Sequence, residues 1–145
     1  MSDRTYPSRP WSSVGVVVWK GDHVLLIQRG KEPRRGEWSI PGGSHDIGET
    51  VREAAVREVM EETAVEIALG PIIDVIDTIR RDVEGRVFTH FTLTDFAATW
   101  IAGEPMAGDD AMHAEFVPYR DALTRLNWSE TARVIRESRR LLGLE

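Results

Sequence analysis

Residues 41–65 read PGGSHDIGETVREAAVREVMEETAV, and the rest of the chain is organised around them. The stretch opens with a Pro-Gly-Gly turn, in which glycine permits positive φ and a close approach of a ligand to the backbone. From residue 49 onward it lacks proline and glycine and is rich in glutamate, arginine and alanine, which predicts a helix. Val51, Ala55 and Val59 recur every four residues and form a stripe that can face a core.

Three carboxylates share one side of this predicted helix, because Glu58 lies three residues before Glu61 and four before Glu62. Like charges at these spacings repel each other by roughly 0.2–0.5 kcal/mol per pair. A cation would remove that cost, and oxygen donors suit Mg²⁺ or Mn²⁺. Arg57 is placed to pair with Glu49 and hold the loop against the helix. The alternative is a solvated acidic helix face, but the glycine turn upstream favours a metal site.

A basic loop precedes the glycine turn, with Arg29, Lys31, Arg34 and Arg35 following a predicted strand at 23–28. Guanidinium groups match the geometry of phosphate oxygens, so this loop is a candidate phosphate-binding segment. Arg29 is the preferred residue because it lies at the end of a strand, where its side chain can be held in place. A solvated loop is the alternative reading.

The remaining elements follow from patterning and turn residues. Strands are predicted at 11–19, 23–28, 37–40, 65–79 and 86–100, another begins at Glu115, and helices cover 119–126 and 129–142. Pro71 is expected to divide the fourth strand, and Ser129 is the expected N-cap of the last helix. Trp38 is either a core residue or a stacking surface for a base.

Size and composition indicate one domain over residues 1–145, with 1–10 as an irregular N-terminal arm. The chain has 145 residues and 41% hydrophobic content, enough for one sizeable core. Neither an internal repeat nor a low-complexity linker divides the sequence.

Charge and cysteine content exclude several classes of function. The net charge of -6 argues against nucleic-acid or anionic membrane partners, which require a basic face. With no cysteines, the chain has no disulfide, zinc-thiolate site or thiol nucleophile. The first ten residues lack the apolar run of a signal peptide, and no apolar run approaches the ~20 residues of a membrane helix. A cytoplasmic location is therefore expected.

Residues 43–65 resemble the Nudix box, G-x5-E-x7-R-E-U-x-E-E-x-G-U, where U is a bulky aliphatic residue. The matching residues stand at the required spacing: Gly43, Glu49, Arg57, Glu58, Val59, Glu61, Glu62 and Val65. One position departs, since Ala64 stands where the pattern has glycine. Alanine there is expected to shift the end of the helix without removing a ligand.

This resemblance implies an α/β/α sandwich with a mixed β-sheet and a loop-helix-loop catalytic motif. It also implies Mg²⁺-dependent hydrolysis, with Mn²⁺ as a possible substitute. The implied metal ligands are Gly43, through its carbonyl, with Glu58, Glu61, Glu62 and the late acidic residue Glu115. Glu61 is the first candidate for the general base, with Glu58 and Glu115 as competitors. The implied substrate contacts are Arg29, Arg34, Trp38 and Arg57.

The expected substrate is a small-molecule nucleoside diphosphate linked to a further group, X. The segments WSIPGG and HFTLTDFAATW are most similar to small ADP-ribose pyrophosphatase-type members. A pyrophosphatase acting on damaged (d)NTPs and a non-catalytic nucleotide-binding module are the alternatives. The loop at 101–110, with Asp109 and Asp110 adjacent, is either solvated or a lid that offers a carboxylate to the site. Many family members are homodimers, so a dimer is possible here.

Overall fold

The computed structural model describes residues 4–32, 34–108 and 110–144, which form a mixed β-sheet covered by helices. The strands are β1 (Trp11–Lys20), β2 (His23–Arg29), β3 (Trp38–Ser39), β4 (Gly42–Ser44), β5 (Glu66–Arg81), β6 (Val87–Ala102) and β7 (Ala111–Pro118). The helices are α1 (Val51–Thr63), α2 (Tyr119–Arg125) and α3 (Ser129–Leu141). Residues 4–10 precede β1 without a helix or strand.

The sheet is mixed because β1 pairs with both parallel and antiparallel strands. Its strands are ordered β3-β2-β1-β6-β5, with β4 paired to β1 and β7 paired to β2. β1 runs parallel to β6 from Trp11, opposite Phe91, to Trp19, opposite Thr99. It pairs antiparallel with β2 at one end and with β4 at the other. The β1–β4 pairing fixes the glycine turn against the centre of the sheet.

Strand β1 is buried on both faces, which explains its run of β-branched residues. Val14, Val16 and Val18 pack with the α1 residues Ala54, Ala55 and Val59 in one core cluster. Val17 and Trp19 pack with the α2 and α3 residues Ala122, Val134 and Ile135 in the other cluster. Helix α1 thus covers one face and α2 with α3 the other. The predicted α/β/α sandwich is confirmed.

β1 with β2 and β5 with β6 form antiparallel hairpins, and Pro71 does not divide β5 into two strands. β5 runs from Glu66 to Arg81 and pairs with β6, with a register irregularity between Leu69 and Ile72. β5 lies at the edge of the sheet, where proline can be accommodated beside a bulge without breaking the strand.

The N-cap prediction for the last helix was wrong by one residue. Trp128 occupies the N-cap position of α3 without a side-chain cap bond, and Ser129 is the first helical residue. β7 also begins earlier than predicted, at Ala111, because it pairs with β2 as far as Arg29. This longer pairing brings the loop before β7 alongside the basic loop after β2.

Candidate active site

The helix that carries the three carboxylates begins at a complete capping box. The Thr50 hydroxyl accepts a hydrogen bond from the Glu53 N–H at 3.0 Å, and the Glu53 carboxylate accepts one from the Thr50 N–H at 2.8 Å. This arrangement satisfies backbone donors at the start of α1 and fixes where the helix begins. Glu58, Glu61 and Glu62 consequently occupy its last two turns.

The end of α1 corrects the expectation for Ala64. The helix does not extend or shorten, because Ala64 adopts the left-handed conformation that glycine would take, with φ 61° and ψ 22°. The Ala64 N–H donates to the Met60 carbonyl at 2.9 Å. Ala64 thereby bears the strain that a side chain incurs in this region, of the order of 1–2 kcal/mol. The helix end, and with it the position of the carboxylates, is preserved.

The loop between β6 and β7 docks against the end of α1. The Met106 N–H donates to the Thr63 carbonyl at 2.9 Å, and the Gly108 N–H donates to the Glu62 carbonyl at 2.8 Å. A Cβ at Gly108 would lie 2.5 Å from the Glu61 carbonyl oxygen, so this close contact requires glycine. The loop therefore delivers Asp110 to the same side of the helix as the carboxylates.

A cavity of about 320 Å³ is lined by four acidic residues and one glycine: Glu58, Glu61, Glu62, Asp110 and Gly108. Burial raises the pKa of Glu62 to about 7, although its carboxylate accepts a hydrogen bond from the Gly42 N–H at 3.1 Å. Burial also raises the pKa of Glu58, against the opposing effect of Arg57. Carboxylates held in this way favour a bound positive charge.

Arg57 holds the site together from its centre. Its Nε and Nη2 donate to the two Glu49 carboxylate oxygens at 3.0 and 2.6 Å, and Nη2 also donates to the Ser44 carbonyl at 2.8 Å. Its Nη1 donates to Glu58 at 2.9 Å and to Glu61 at 3.0 Å. The predicted Arg57–Glu49 brace is therefore present.

The same contacts argue against the other expected role of Arg57, substrate binding. A guanidinium group has five N–H donors, and the five hydrogen bonds of Arg57 to protein acceptors use them all. The geometry therefore assigns Arg57 to positioning the carboxylates and the loop.

Gly43 lies in direct contact with the Glu58 carboxylate, which a side chain at this position would displace. A Cβ at this position would lie 2.3 Å from one Glu58 carboxylate oxygen and 2.8 Å from the other. The absent side chain leaves room for the carboxylate to lie against the backbone of β4. The backbone of Gly43 and the Glu58 carboxylate are therefore neighbours in the structure.

The donors in this cavity fit a hard divalent cation, since they are oxygen atoms and the Glu58 and Glu62 carboxyls are partly buried. Within the described residues, no three acidic or histidine side chains are already arranged as a finished metal site. Arg57 Nη1 lies between Glu58 and Glu61 and donates to oxygens that a metal would use.

Glu115 is not brought to the carboxylate cavity. Its side chain pairs with Arg125 and lies 3.4 Å from the His113 ring, and the Arg125 guanidinium lowers its pKa. Asp110, from the loop at 101–110, lines the cavity instead and forms an ion pair with Lys31 at 2.7 Å. The neighbouring Asp109 lies outside the described residues.

The three other predicted substrate residues lie in different surroundings. Arg29 ends β2, and its charge lowers the pKa of Glu62, which places it near the carboxylates. Arg34 is turned toward Glu37, with 3.7 Å between Nε and the carboxylate. Trp38 packs against the α2–α3 core cluster and under the Arg125 guanidinium, 4.8 Å from the ring. Arg29 is therefore the one of these three residues whose charge acts on the carboxylate cavity.

The mixed sheet between helices carries a cavity lined by carboxylates beside a glycine turn. The NUDIX domain model matches residues 9–137 of this chain. The chain belongs to the Nudix family. No helix in the part of the chain that the structure describes has the length and apolar character needed to cross a membrane.

Two relatives are similar in sequence to this chain over part of their length. An ADP-ribose pyrophosphatase of Methanocaldococcus jannaschii is 38% identical over 107 residues, which cover 74% of this chain and 61% of that protein. A putative 8-oxo-dGTP diphosphatase of Bacillus subtilis is 37% identical over 73 residues, covering 50% of this chain and 47% of that protein. The chain thus matches less than two thirds of the length of either relative.

A solved structure, the MutT NUDIX hydrolase of Burkholderia pseudomallei, superposes with a TM-score of 0.70 at 27% sequence identity. The superposition covers 90% of this chain and 98% of that one. The similarity therefore extends through the helices and the sheet and is not limited to the Nudix box.

Proposed function

We propose that this protein hydrolyses the diphosphate bond of a nucleoside diphosphate linked to X, with ADP-ribose as the first candidate. The observation that carries this proposal is the cavity lined by Glu58, Glu61, Glu62 and Asp110 beside the Gly42–Gly43 turn. The similarity to the M. jannaschii ADP-ribose pyrophosphatase favours ADP-ribose.

Glu58 and Glu62 would hold a divalent cation, Mg²⁺ or Mn²⁺, with Glu61 and the Gly43 carbonyl as further ligands. When bound, such an ion neutralises phosphate charge and lowers the pKa of water. Asp110 replaces Glu115 as the candidate carboxylate from the later part of the chain, because Asp110 lines the cavity.

The protein's own groups would act on the diphosphate and on the attacking water. Arg29 would bind a phosphate oxygen and offset the negative charge that develops on the departing group. Glu61 is the first candidate to accept the water proton, since its side chain is 61% exposed and water can reach it. Glu58 is the competitor. Addition of one water to ADP-ribose would yield AMP and ribose 5-phosphate.

The B. subtilis relative supports a second candidate substrate, the damaged nucleotide 8-oxo-dGTP. Hydrolysis would then release pyrophosphate and 8-oxo-dGMP. Product identity separates the two candidates, because ADP-ribose contains no pyrophosphate that can leave intact.

A substrate panel with Mg²⁺, followed by chromatographic identification of products, tests this proposal. We expect turnover of ADP-ribose to AMP and ribose 5-phosphate, loss of turnover in excess chelator, and recovery when Mg²⁺ is restored. Glu58→Gln should lower turnover by about 10²-fold or more. Glu66→Gln, an exposed glutamate on β5, is the matched control and should retain activity. Continued turnover in excess chelator, or an unimpaired Glu58→Gln enzyme, would contradict the mechanism.

A further inference from the structure

Strand β5 forms one outer edge of the sheet. It is the last strand in the order β3-β2-β1-β6-β5, and in the part of the chain that the structure describes its ladder is with β6 alone. The two strands pair without a bulge from Asp74, opposite Asp95, to Arg80, opposite Thr89, apart from the shift that precedes Asp74. Such an edge presents backbone N–H and C=O groups with which a further strand can pair. We call residues 74–81 the edge segment.

The backbone groups on the open side of the edge segment belong to alternate residues. The Val75 N–H donates to the Asp74 carboxylate at 2.8 Å, which places it on the side of β5 that faces away from β6. Successive residues of a paired strand direct their N–H and C=O groups to opposite sides. Those of Asp77, Ile79 and Arg81 therefore face the same way as those of Val75, where they can form a ladder with a second strand.

The side chains of these alternate residues lie together on one face of the sheet, because side chains alternate along a strand. All of them are exposed, Val75 by 51% and Ile79 by 47%. Proteins commonly protect an edge strand from pairing with lysine or proline. β5 has no lysine, and its single proline, Pro71, precedes the edge segment. The edge segment thus combines open backbone groups with exposed apolar side chains, as expected of a strand that pairs with another.

The charges of the edge segment favour a second copy of this chain as the partner. The whole chain has a net charge of -6, so two copies repel each other over most approaches. The edge segment itself is neutral, with two aspartates followed by two arginines: Asp74, Asp77, Arg80 and Arg81. An antiparallel pairing of this segment with itself brings the acidic end of one copy to the basic end of the other.

Two-fold symmetry limits how two edge segments can pair. An axis perpendicular to the sheet keeps the α1 face of both copies on the same side, so opposed residues must share a face and the axis must pass through a residue. With the axis at Ile79, Asp77 of each copy lies opposite Arg81 of the other, a stabilising cross-strand pair. An axis at Asp77 would oppose like charges, and one at Thr78 would leave Asp77 opposite Ile79. The register centred on Ile79 is therefore favoured.

The contacts of Asp77 and Arg81 within the chain are compatible with this pairing. Asp77 accepts from the Thr92 hydroxyl at 3.4 Å, and Arg81 Nη1 donates to the Gly85 carbonyl at 3.1 Å. A carboxylate has about four acceptor sites and a guanidinium has five N–H donors, so each side chain can keep its contact and form the new pair.

We propose that the protein forms a homodimer in which β5 pairs antiparallel with β5 of a second copy, about a two-fold axis at Ile79. The sheet then continues from one copy into the other. A contact confined to one strand edge is small, so the dimer dissociates on dilution. The inference is independent of the proposed reaction, because the carboxylates of the cavity lie on α1 and on the loop before β7.

Sedimentation equilibrium over a dilution series tests this dimer without any substrate. The average mass of the unaltered protein should rise with concentration from that of one chain towards twice that value. Arg81→Asp and Asp77→Arg each place like charges opposite each other and should weaken association at least about tenfold. The double variant Asp77→Arg/Arg81→Asp restores opposite charges and should restore association.

Two controls separate the edge contact from general charge repulsion and from misfolding. Arg136→Asp, at an exposed position of α3, changes the net charge as Arg81→Asp does and should leave association unchanged. Asp77→Arg makes the chain less negative, so its weaker association would not come from general repulsion. Circular dichroism and thermal unfolding of dilute samples check that every variant is folded.

A protein that stays monomeric at every concentration would overturn the inference. A dimer that withstands both single charge reversals would also overturn it, because the interface would then lie elsewhere. Failure of the folded double variant to associate would contradict the register centred on Ile79.

Discussion

Arg57 and Glu49 form a two-pronged ion pair, with Nε donating to one carboxylate oxygen at 3.0 Å and Nη2 to the other at 2.6 Å. This pair lowers the pKa of Glu49 to about 2, chiefly through the Arg57 hydrogen bonds. The remaining donors of Arg57 reach the Ser44 carbonyl, Glu58 and Glu61. A single guanidinium therefore sets the relative positions of the glycine turn, the loop and the carboxylates.

Replacing Arg57 by lysine should impair catalysis although the charge is kept. A single ammonium group cannot engage both Glu49 oxygens and bridge Glu58 and Glu61 at once. We expect kcat to fall at least tenfold, with a loss of about 1–3 kcal/mol in the free energy of unfolding. Kinetics and urea denaturation measure these effects. Arg52→Lys, on the same helix, is the control, and an Arg57→Lys enzyme with the activity of that control would refute the positioning role.

Substitutions at Asp110 and at Glu115 should affect the Mg²⁺ dependence of activity differently. Asp110 lines the carboxylate cavity, whereas Glu115 is paired with Arg125 on β7. Asp110→Asn should therefore raise the Mg²⁺ concentration for half-maximal activity by about tenfold, and Glu115→Gln should leave it unchanged. Metal titrations of activity decide between them. The reverse result would restore Glu115 as the candidate ligand.

The resemblance of residues 43–65 to the Nudix box implied the architecture, whereas the grouping of the glutamates on one helix follows from their local spacing. The β-branched run at 11–19 indicated a strand, but its burial on both faces follows from the helices that pack on either side of it. The spacing of Glu58, Glu61 and Glu62 placed them on a common side of α1. The position of Glu115 could not be predicted in this way, since its partner Arg125 is contributed by a separate helix. The requirement for glycine at position 108 could not be predicted either. A side chain is excluded there only because the loop docks against the Glu61 carbonyl of α1.

Ala64 shows how one deviation from a motif can be misjudged. The absence of glycine suggested that the helix end would move, because alanine disfavours positive φ. The structure keeps the end and forces alanine into the left-handed region. The Thr63 and Glu62 carbonyls, which accept from Met106 and Gly108, hold the helix end in place through tertiary contacts that local propensity does not include.

Ala64→Gly should stabilise the protein. Glycine adopts φ 61° without Cβ strain, and this gain exceeds the added flexibility of the unfolded chain. We expect the free energy of unfolding to rise by about 1 kcal/mol and Tm by roughly 2–4 °C. Ala132→Gly, inside α3, makes the same chemical change at a helical φ and should destabilise by about 1 kcal/mol. Equal losses in both variants, measured by thermal unfolding, would contradict the strain at Ala64.

Asp95 makes the folded state sensitive to pH. The residue is 6% exposed on β6, where its carboxyl lies against Gly15 and faces the charges of Asp74, Glu130 and Arg133. Burial, followed by repulsion from Asp74, raises its pKa from 3.8 to about 6. Between these two pH values the folded chain binds more protons than the unfolded chain. The contribution of Asp95 to stability must therefore decline as the pH rises through this window and stay constant above it.

Asp95→Asn should remove this dependence, because an amide of similar shape carries no charge to bury. We expect the variant to gain about 1–3 kcal/mol in the free energy of unfolding at pH 7 and to differ little from the unaltered protein below pH ~4. Urea denaturation between pH 4 and 7 measures the difference, with Asp77→Asn, an exposed aspartate on β5, as the control. The opposite result is a free energy of unfolding of Asp95→Asn that differs from that of the unaltered protein by the same amount at every pH from 4 to 7. That result would show that Asp95 is charged in the folded state across this range, and it would contradict the raised pKa.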